Sequence, residues 1–363
     1  PGTLRDRRRR RGLEESGRTP PPRSAKIDSV MNRTILLAIL TSALLYPQSP
    51  KGWTKGKGYG WVYGSGDEVG ALQAVTSPDA VLRALRGVKT GRVFDLGVRV
   101  ANDSFKWPGH SPTQILSYRS PEGAKRDKDV EAFATSKRGL GWHSCALFIS
   151  DNVGTQIDSL GHITTGADNH WYNGFKEADH GGDFGIRKAD ADSIPPVVAR
   201  AVLIDVAAWK GLDALPANYA ISSKDLQAAL AAQRVDVEPG DVVLVRTGVL
   251  RYWGETGSDH AKLAQHDSAG ITLEAAKWLV EQKGAVMIGA DTSGTEVGQD
   301  PSLPGAVIPV HEYLLVEQGV HIGELHNLEG LSRSKVYRFT YVAMTNRLKG
   351  TVAGTALRPI AIE

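Results

Sequence analysis

The sequence predicts an α/β protein with a substantial parallel or mixed sheet, and three observations predict it. Short apolar runs of strand character recur at 93–100, 146–150, 201–206, 241–246 and 285–290. Helical patterns lie between some of them, at 223–232 and 272–282, the second closed by Gly284. No shift of composition divides 53–363, so these elements are read as one domain over 49–363. The chain has 363 residues and is 41% hydrophobic, enough for a packed core.

Residues 1–30 read as a solvated basic tail or a mis-assigned start. Eight Arg and one Lys against four acids give this segment +5 and leave the rest of the +3 chain at −2. A near-neutral body argues against nucleic acid as the main partner, because phosphate binding needs a concentrated basic surface. From Met31, over 31–48, a cationic residue, the apolar run TILLAILTSALLY and the turn PQSP form the pattern of a secretory signal. Cleavage is expected near Ser49, and a secreted or periplasmic location with it. The run is shorter than the roughly 20 residues of a membrane helix, so no stable span is expected in the mature chain.

Residues 52–66, rich in Gly, Lys, Trp and Tyr, read as an extended arm. No strand precedes GYGWVYG and no helix follows it, which argues against a dinucleotide fingerprint. Ser77, Pro78 and Asp79 then open a helix ending near Gly87: a capping hydroxyl, a proline in the first turn and an acid at the positive end of the dipole. The segment 102–140, with FKWPGHSP and RDKDVEAF, reads as a long loop of the kind that covers a functional site. Cys145 is the single cysteine, which excludes an internal disulfide and a thiolate metal cluster. Beside an apolar run, it reads as a buried, inert thiol.

Candidate chemistry concentrates in SDNVGTQIDSLGHI, residues 150–163. Asn152, Gln156, Asp158 and His162 follow the 146–150 run, read as a buried strand that delivers polar side chains to its mouth. Other candidates are His311 in PVHEYLL and Glu324 in GELHNLEGL. HIGELH lacks the residue order of a zincin helix. DTSGTE, 291–296, reads as a pocket-facing loop, but Ser293 lacks the Gly-x-Ser-x-Gly elbow of a serine nucleophile. His110, His143, His170 and His180 read as structural.

The 150–163 segment resembles the His-x-Gly-Thr-His-x-Asp-x-Pro-x-His signature of the cyclase superfamily, metal-dependent amidohydrolases that include bacterial kynurenine formamidase and isatin hydrolase. Gly154, Thr155, Asp158 and His162 match it. Asn152 and Gln156 stand where the family usually has histidines, and Leu160 where it has proline; Gly-Thr-Gln-x-Asp is a variant within the superfamily. Further blocks in family order extend the resemblance over the whole body: DEVGALQAVTSPDAVLRAL, YNGF, GDVVLVRTG, GITLEAAKWL, GADTSG, PVHEYLL and GELHNLEGL.

The resemblance implies a swivelling β/α/β-type single domain whose mixed sheet is curved into a partial barrel. It implies hydrolysis of an amide or ester bond, a lactam or lactone included, in a small aromatic or cyclic substrate. Asp158, His311 and Glu324 would hold a divalent metal, Mn2+ or Zn2+, and His162 would be the general acid/base. Asn152 is a further candidate ligand. Amides in place of two imidazoles suit a harder cation and favour one ion over two. Gln156 could instead donate its amide to a polarised carbonyl. Trp107, Trp142, Trp171 and Tyr172 are candidates for an aromatic pocket, and a homodimer or homotetramer is expected from the resemblance. One rival is a metal-free binding protein on the same fold, motivated by the two missing histidines. Another is an assembly protein, resting on the 52–66 arm.

Overall fold

A computed structural model describes residues 50–131, 137–254, 259–263 and 267–363. The basic tail and secretory leader expected over 1–48 lie outside the described residues. The strands, in chain order, are β1 (Val93–Asp95), β2 (Gln114–Arg119), β3 (Ser144–Phe148), β4 (Gln156–Asp158), β5 (Val197–Asp205), β6 (Ala220–Ile221) and β7 (Val242–Arg246). They continue with β8 (Gly270–Ile271), β9 (Met287–Ala290), β10 (His321–Glu324), β11 (Arg338–Ala343), β12 (Ala353–Gly354) and β13 (Ile360–Ile362). Nine of them form one mixed sheet in the order β1-β13-β11-β5-β7-β9-β10-β4-β12, curled into a half-barrel.

At its centre β5, β7, β9 and β10 run parallel. Their residues VVARAVLID, VVLVR, MIGA and HIGE are buried almost throughout, as strands covered on both faces must be. The helix Ser223–Gln233 is closed at its start by a capping box between Ser222 and Asp225. The helix Pro78–Leu85 begins as its sequence predicts, with the Ser77 hydroxyl accepting from the Ala80 N–H. The segment expected as one helix over 272–282 is α-helical at Leu273–Lys277 and widens to a π-helix at Trp278–Gln282. The same change follows Pro309–His311, where Glu312–Glu317 is π-helical.

Two expectations are corrected. The 146–150 run is not a buried strand: β3 pairs only with β2 in a two-stranded ladder, and its side chains are mostly exposed. Cys145 lies on it and is exposed, not buried. Apolar composition made β3 resemble a core strand, but no second layer covers it. The region read as a loop over 102–140 likewise contains β2 and the helix Pro121–Arg126.

The 52–66 arm is bound to the body of its own chain. The Trp53 and Trp61 indoles donate to the carbonyls of Val280 and Val316, each at 2.7 Å, and the Tyr59 hydroxyl donates to that of Gly284 at 2.8 Å. These contacts take away the motive for the assembly reading. Among the described residues no helix is long and apolar enough to cross a membrane.

Where β5 and β7 end, Asp205 and Arg246 are register partners. Arg246 bonds Asp205 at 3.0 Å and Glu329 at 2.8 Å. Asp205 is 1% exposed, so removing the guanidinium strands a carboxylate in the interior. Arg246→Ala is expected to cost about 3–5 kcal/mol in denaturant unfolding, with incomplete recovery in Arg246→Lys, because the planar fork bonds two carboxylates at once. A cost below about 1 kcal/mol would show that the network adds nothing.

Candidate metal centre and substrate pocket

The carboxyl ends of the parallel strands carry the site, as in other open α/β sheets. Strand β4 places Gln156 and Asp158 on one face, because side chains alternate with period two, and sends Ile157 to the other. Antiparallel pairing sets Glu324, the last residue of β10, directly opposite Gln156, with Ile322 opposite Asp158. Asp158 and Glu324 are therefore diagonal neighbours on one face. Two features of the Gly-Thr step hold this register. Gly154 has φ +67°, and a Cβ there would lie 2.6 Å from Val100 Cγ2. Thr155 donates its hydroxyl to the Leu325 carbonyl at 2.7 Å and accepts from the Val98 N–H at 3.0 Å.

His311 arrives from the Pro309–His311 helix with its Nε2 3.4 Å from Glu324 Oε1 and 3.9 Å from Asp158 Oδ2. Its Nδ1 is bonded to Glu296, whose carboxylate also accepts from the backbone N–H groups of Val310 and His311 at 3.0 and 3.1 Å. Glu296 thus caps the helix and orients the ring, the outer-shell arrangement common around metal-ligating histidines. Sequence reasoning missed it, although an acid six residues beyond the end of β9, in the loop read as pocket-facing, was the available signal. His162 follows Asp158 through a turn in which its N–H donates to the Ser159 carbonyl. Asp158, His162 and His311 offer ligand atoms within 4.8 Å of one another.

Gln156 braces the carboxylates. Its amide nitrogen donates to Glu324 Oε2 at 2.8 Å and Asp158 Oδ1 at 3.3 Å, while its Oε1 is buried without a hydrogen-bond partner. That geometry occupies the amide expected to reach a substrate carbonyl.

Burial opposes a charged His311, yet bonding to Glu296 and Glu324 outweighs it and raises the pKa to about 10. Burial, then the Asp158 charge, raises Glu324 to about 8. Burial lowers His162 below its ordinary value, against an upward pull from Asp158.

The donor set fits a divalent cation. Asp158 Oδ2 is buried with no hydrogen-bond partner, beside a second carboxylate and an imidazole nitrogen. An unsatisfied buried carboxylate oxygen is costly, and a cation bound there satisfies all three atoms. Non-glycine residues with positive φ flank the set: Thr295 before Glu296, Ile308 before the His311 helix and Leu325 after Glu324. Such backbone strain concentrates at functional sites.

A cavity of about 330 Å³ opens on this centre, its wall including His162, His311, Glu324, Glu296, Asn152 and Trp107. Asp158 and Gln156 are not in its wall; they contact the lining residues His311 and Glu324. The Trp107 indole donates to the Ser293 carbonyl at 3.1 Å. The other aromatic candidates are not in the wall. Trp171 and Tyr172 are fully buried in the main core, Tyr172 donating to Asp67 at 2.6 Å, and Trp142 precedes the exposed β3. Their place in a hydrophobic core follows from ring size, which burial rewards wherever it occurs.

Fold and site together define an α/β protein with a carboxylate–imidazole centre at the mouth of a curved mixed sheet. The Cyclase family model matches residues 94–297, and the chain belongs to that family. A solved structure described as a novel cyclase is 27% identical, with a TM-score of 0.72 over 84% of this chain and 99% of that one. Isatin hydrolase A from Ralstonia solanacearum is 21% identical, with a TM-score of 0.55 over 79% of this chain and 98% of that one. Isatin hydrolase A from Labrenzia aggregata, bound to benzyl benzoate, is 19% identical, with a TM-score of 0.54 over 78% and 99%. The likeness to the two isatin hydrolases is one of fold. Among curated proteins none matches.

Proposed function

We propose that this protein is a metal-dependent hydrolase that cleaves an amide or ester bond, lactam or lactone included, in a small aromatic or cyclic substrate. One observation carries the reading: the unpartnered Asp158 Oδ2 faces His311 and Glu324 at the base of a cavity that His162 also lines. Family membership and the fold shared with isatin hydrolases support it. Asp158, His311 and Glu324 would hold one divalent cation, Mn2+ or Zn2+, and the cation supplies Lewis acidity to the carbonyl and acidifies water beside it.

The chain's own groups do the rest. Because burial lowers its pKa, His162 is neutral at pH 7 and can take the proton of the attacking water. The water oxygen bonds to the carbonyl carbon, the C–N or C–O bond breaks, and His162 returns the proton to the leaving nitrogen or oxygen. Gln156 holds the two carboxylates in register, and Glu296 keeps His311 Nε2 directed at them. Trp107 and the apolar wall offer a surface for the rings of the substrate beside the centre.

The test is metal analysis of the purified protein by mass spectrometry, followed by assay against formanilides, lactams and lactones. About one transition metal per chain and metal-dependent cleavage of one of these classes are expected. Ligand binding that survives metal removal, with no metal taken up from Mn2+ or Zn2+, would favour the metal-free binding protein. The apolar run after Met31 further supports export to the periplasm or medium, which N-terminal sequencing of the mature chain would test.

A further inference from the structure

The walls of the cavity carry little charge that a substrate could pair with. Trp107, Ile163, Val297, Ala306, Val307 and Ile308 supply apolar surface, and no lysine or arginine occurs among the described lining residues. The internal segments outside the described residues, 132–136, 255–258 and 264–266, contain none in sequence either.

The wall's acids away from the centre are already saturated. Glu296 accepts from His311 and Val310. Asp300 accepts from the Leu273 N–H at 3.0 Å and from the Ser302 N–H and hydroxyl at 2.9 and 2.6 Å. Away from the centre a substrate carboxylate would meet no lysine or arginine among the described lining residues, and a substrate ammonium no open carboxylate. Asp158 and Glu324 would offset the two charges of a divalent cation held with His311 Nε2, so the centre projects no net positive field into the cavity. What remains for recognition is the neutral Asn152, Ser268 and Ser293. Burying an unpaired charge costs far more than burying a hydrogen-bonded neutral group.

We propose that the substrate is an electrically neutral, mainly apolar amide, lactam or ester of one or two rings, bearing neither a carboxylate nor an ammonium group. The bond type rests on the hydrolase reading above; the charge preference belongs to the cavity alone. The volume of about 330 Å³ is at the small end of ligand pockets, which suits such a compound.

The experiment separates the two. Isothermal titration of the Mn2+-loaded protein with oxindole and with oxindole-5-carboxylate reads binding, and chromatography of the titrated solution shows whether either ring has been opened. The neutral lactam is expected to bind at least about tenfold more tightly, from the cost of an unpaired buried charge. Val307 is 81% exposed at the cavity wall, so Val307→Arg should fold and should narrow that ratio by supplying a guanidinium. Hydrolysis of formanilide against 2-formamidobenzoate reads the same preference in turnover. Equal or tighter binding of the carboxylate, no binding of either compound, or an unchanged ratio in Val307→Arg would overturn the proposal. Preferential oxindole binding without hydrolysis of any substrate would sink the hydrolase reading and leave this one standing. Hydrolysis favouring 2-formamidobenzoate would do the reverse.

Discussion

Asp158→Asn is expected to strip the protein of its metal and of its activity while leaving it folded. The substitution keeps the shape of the side chain but removes one of two carboxylate charges, and a neutral amide oxygen is a much weaker ligand for a divalent transition metal. Loss of an outer-shell partner alone costs about 10–100-fold in metal affinity, so loss of a direct ligand should cost at least about 100-fold. Mass spectrometry of the variant beside the parent protein checks the first part, and turnover of a cleaved amide or lactone checks the second. Thermal melting of both metal-free proteins is the control. The metal-free variant should melt no lower than the metal-free parent, because the parent buries a carboxylate oxygen that nothing bonds. Full metal retention with full turnover would remove Asp158 from the site.

His162→Ala should lower kcat by about 10²–10⁴, the range spanned by a positioned general acid or base, with the metal still bound. The pH profile adds a sign. Burial depresses the His162 pKa, so the imidazole remains a competent base down to some value below its ordinary 6.5, and activity is lost only as pH falls through that lower value. The parent protein should therefore keep its kcat/KM to below pH 6.5, and the acidic limb assigned to His162 should disappear in the variant. Metal content decides between two roles, since His162 also lies within ligand distance of Asp158 and His311. If His162→Ala loses the metal along with activity, His162 is a ligand and the general base must be sought elsewhere in the cavity wall.

Much of the architecture was legible in the residues. Continuous apolar runs marked the parallel strands β5, β7 and β9, because burial on both faces removes the need for polar alternation. Ser77-Pro78-Asp79 marked a helix start because capping is a local matter of donors and dipoles. The resemblance named Asp158, His311, Glu324 and His162, and the structure brings these four together from β4, the turn after it, the Pro309–His311 helix and the end of β10. Other readings failed for want of non-local information. β3 has the composition of a core strand and lies exposed; Trp171 and Tyr172 have the composition of a pocket and lie in the core.

By itself the sequence determined where the central parallel strands β5, β7 and β9 and several helices lie, and where some of those helices start. Those properties depend on neighbours within a few residues. Only the tertiary structure decided that Glu324 stands opposite Gln156, that the Gln156 amide joins two carboxylates, and that Glu296 grips His311. It also decided that the cavity wall carries no lysine or arginine among its described residues. Each of these is a contact or a shared surface between segments distant in the chain. The register of strand pairing and the closure of loops over the sheet ends determine such contacts, and neither leaves a mark in the local pattern of residues.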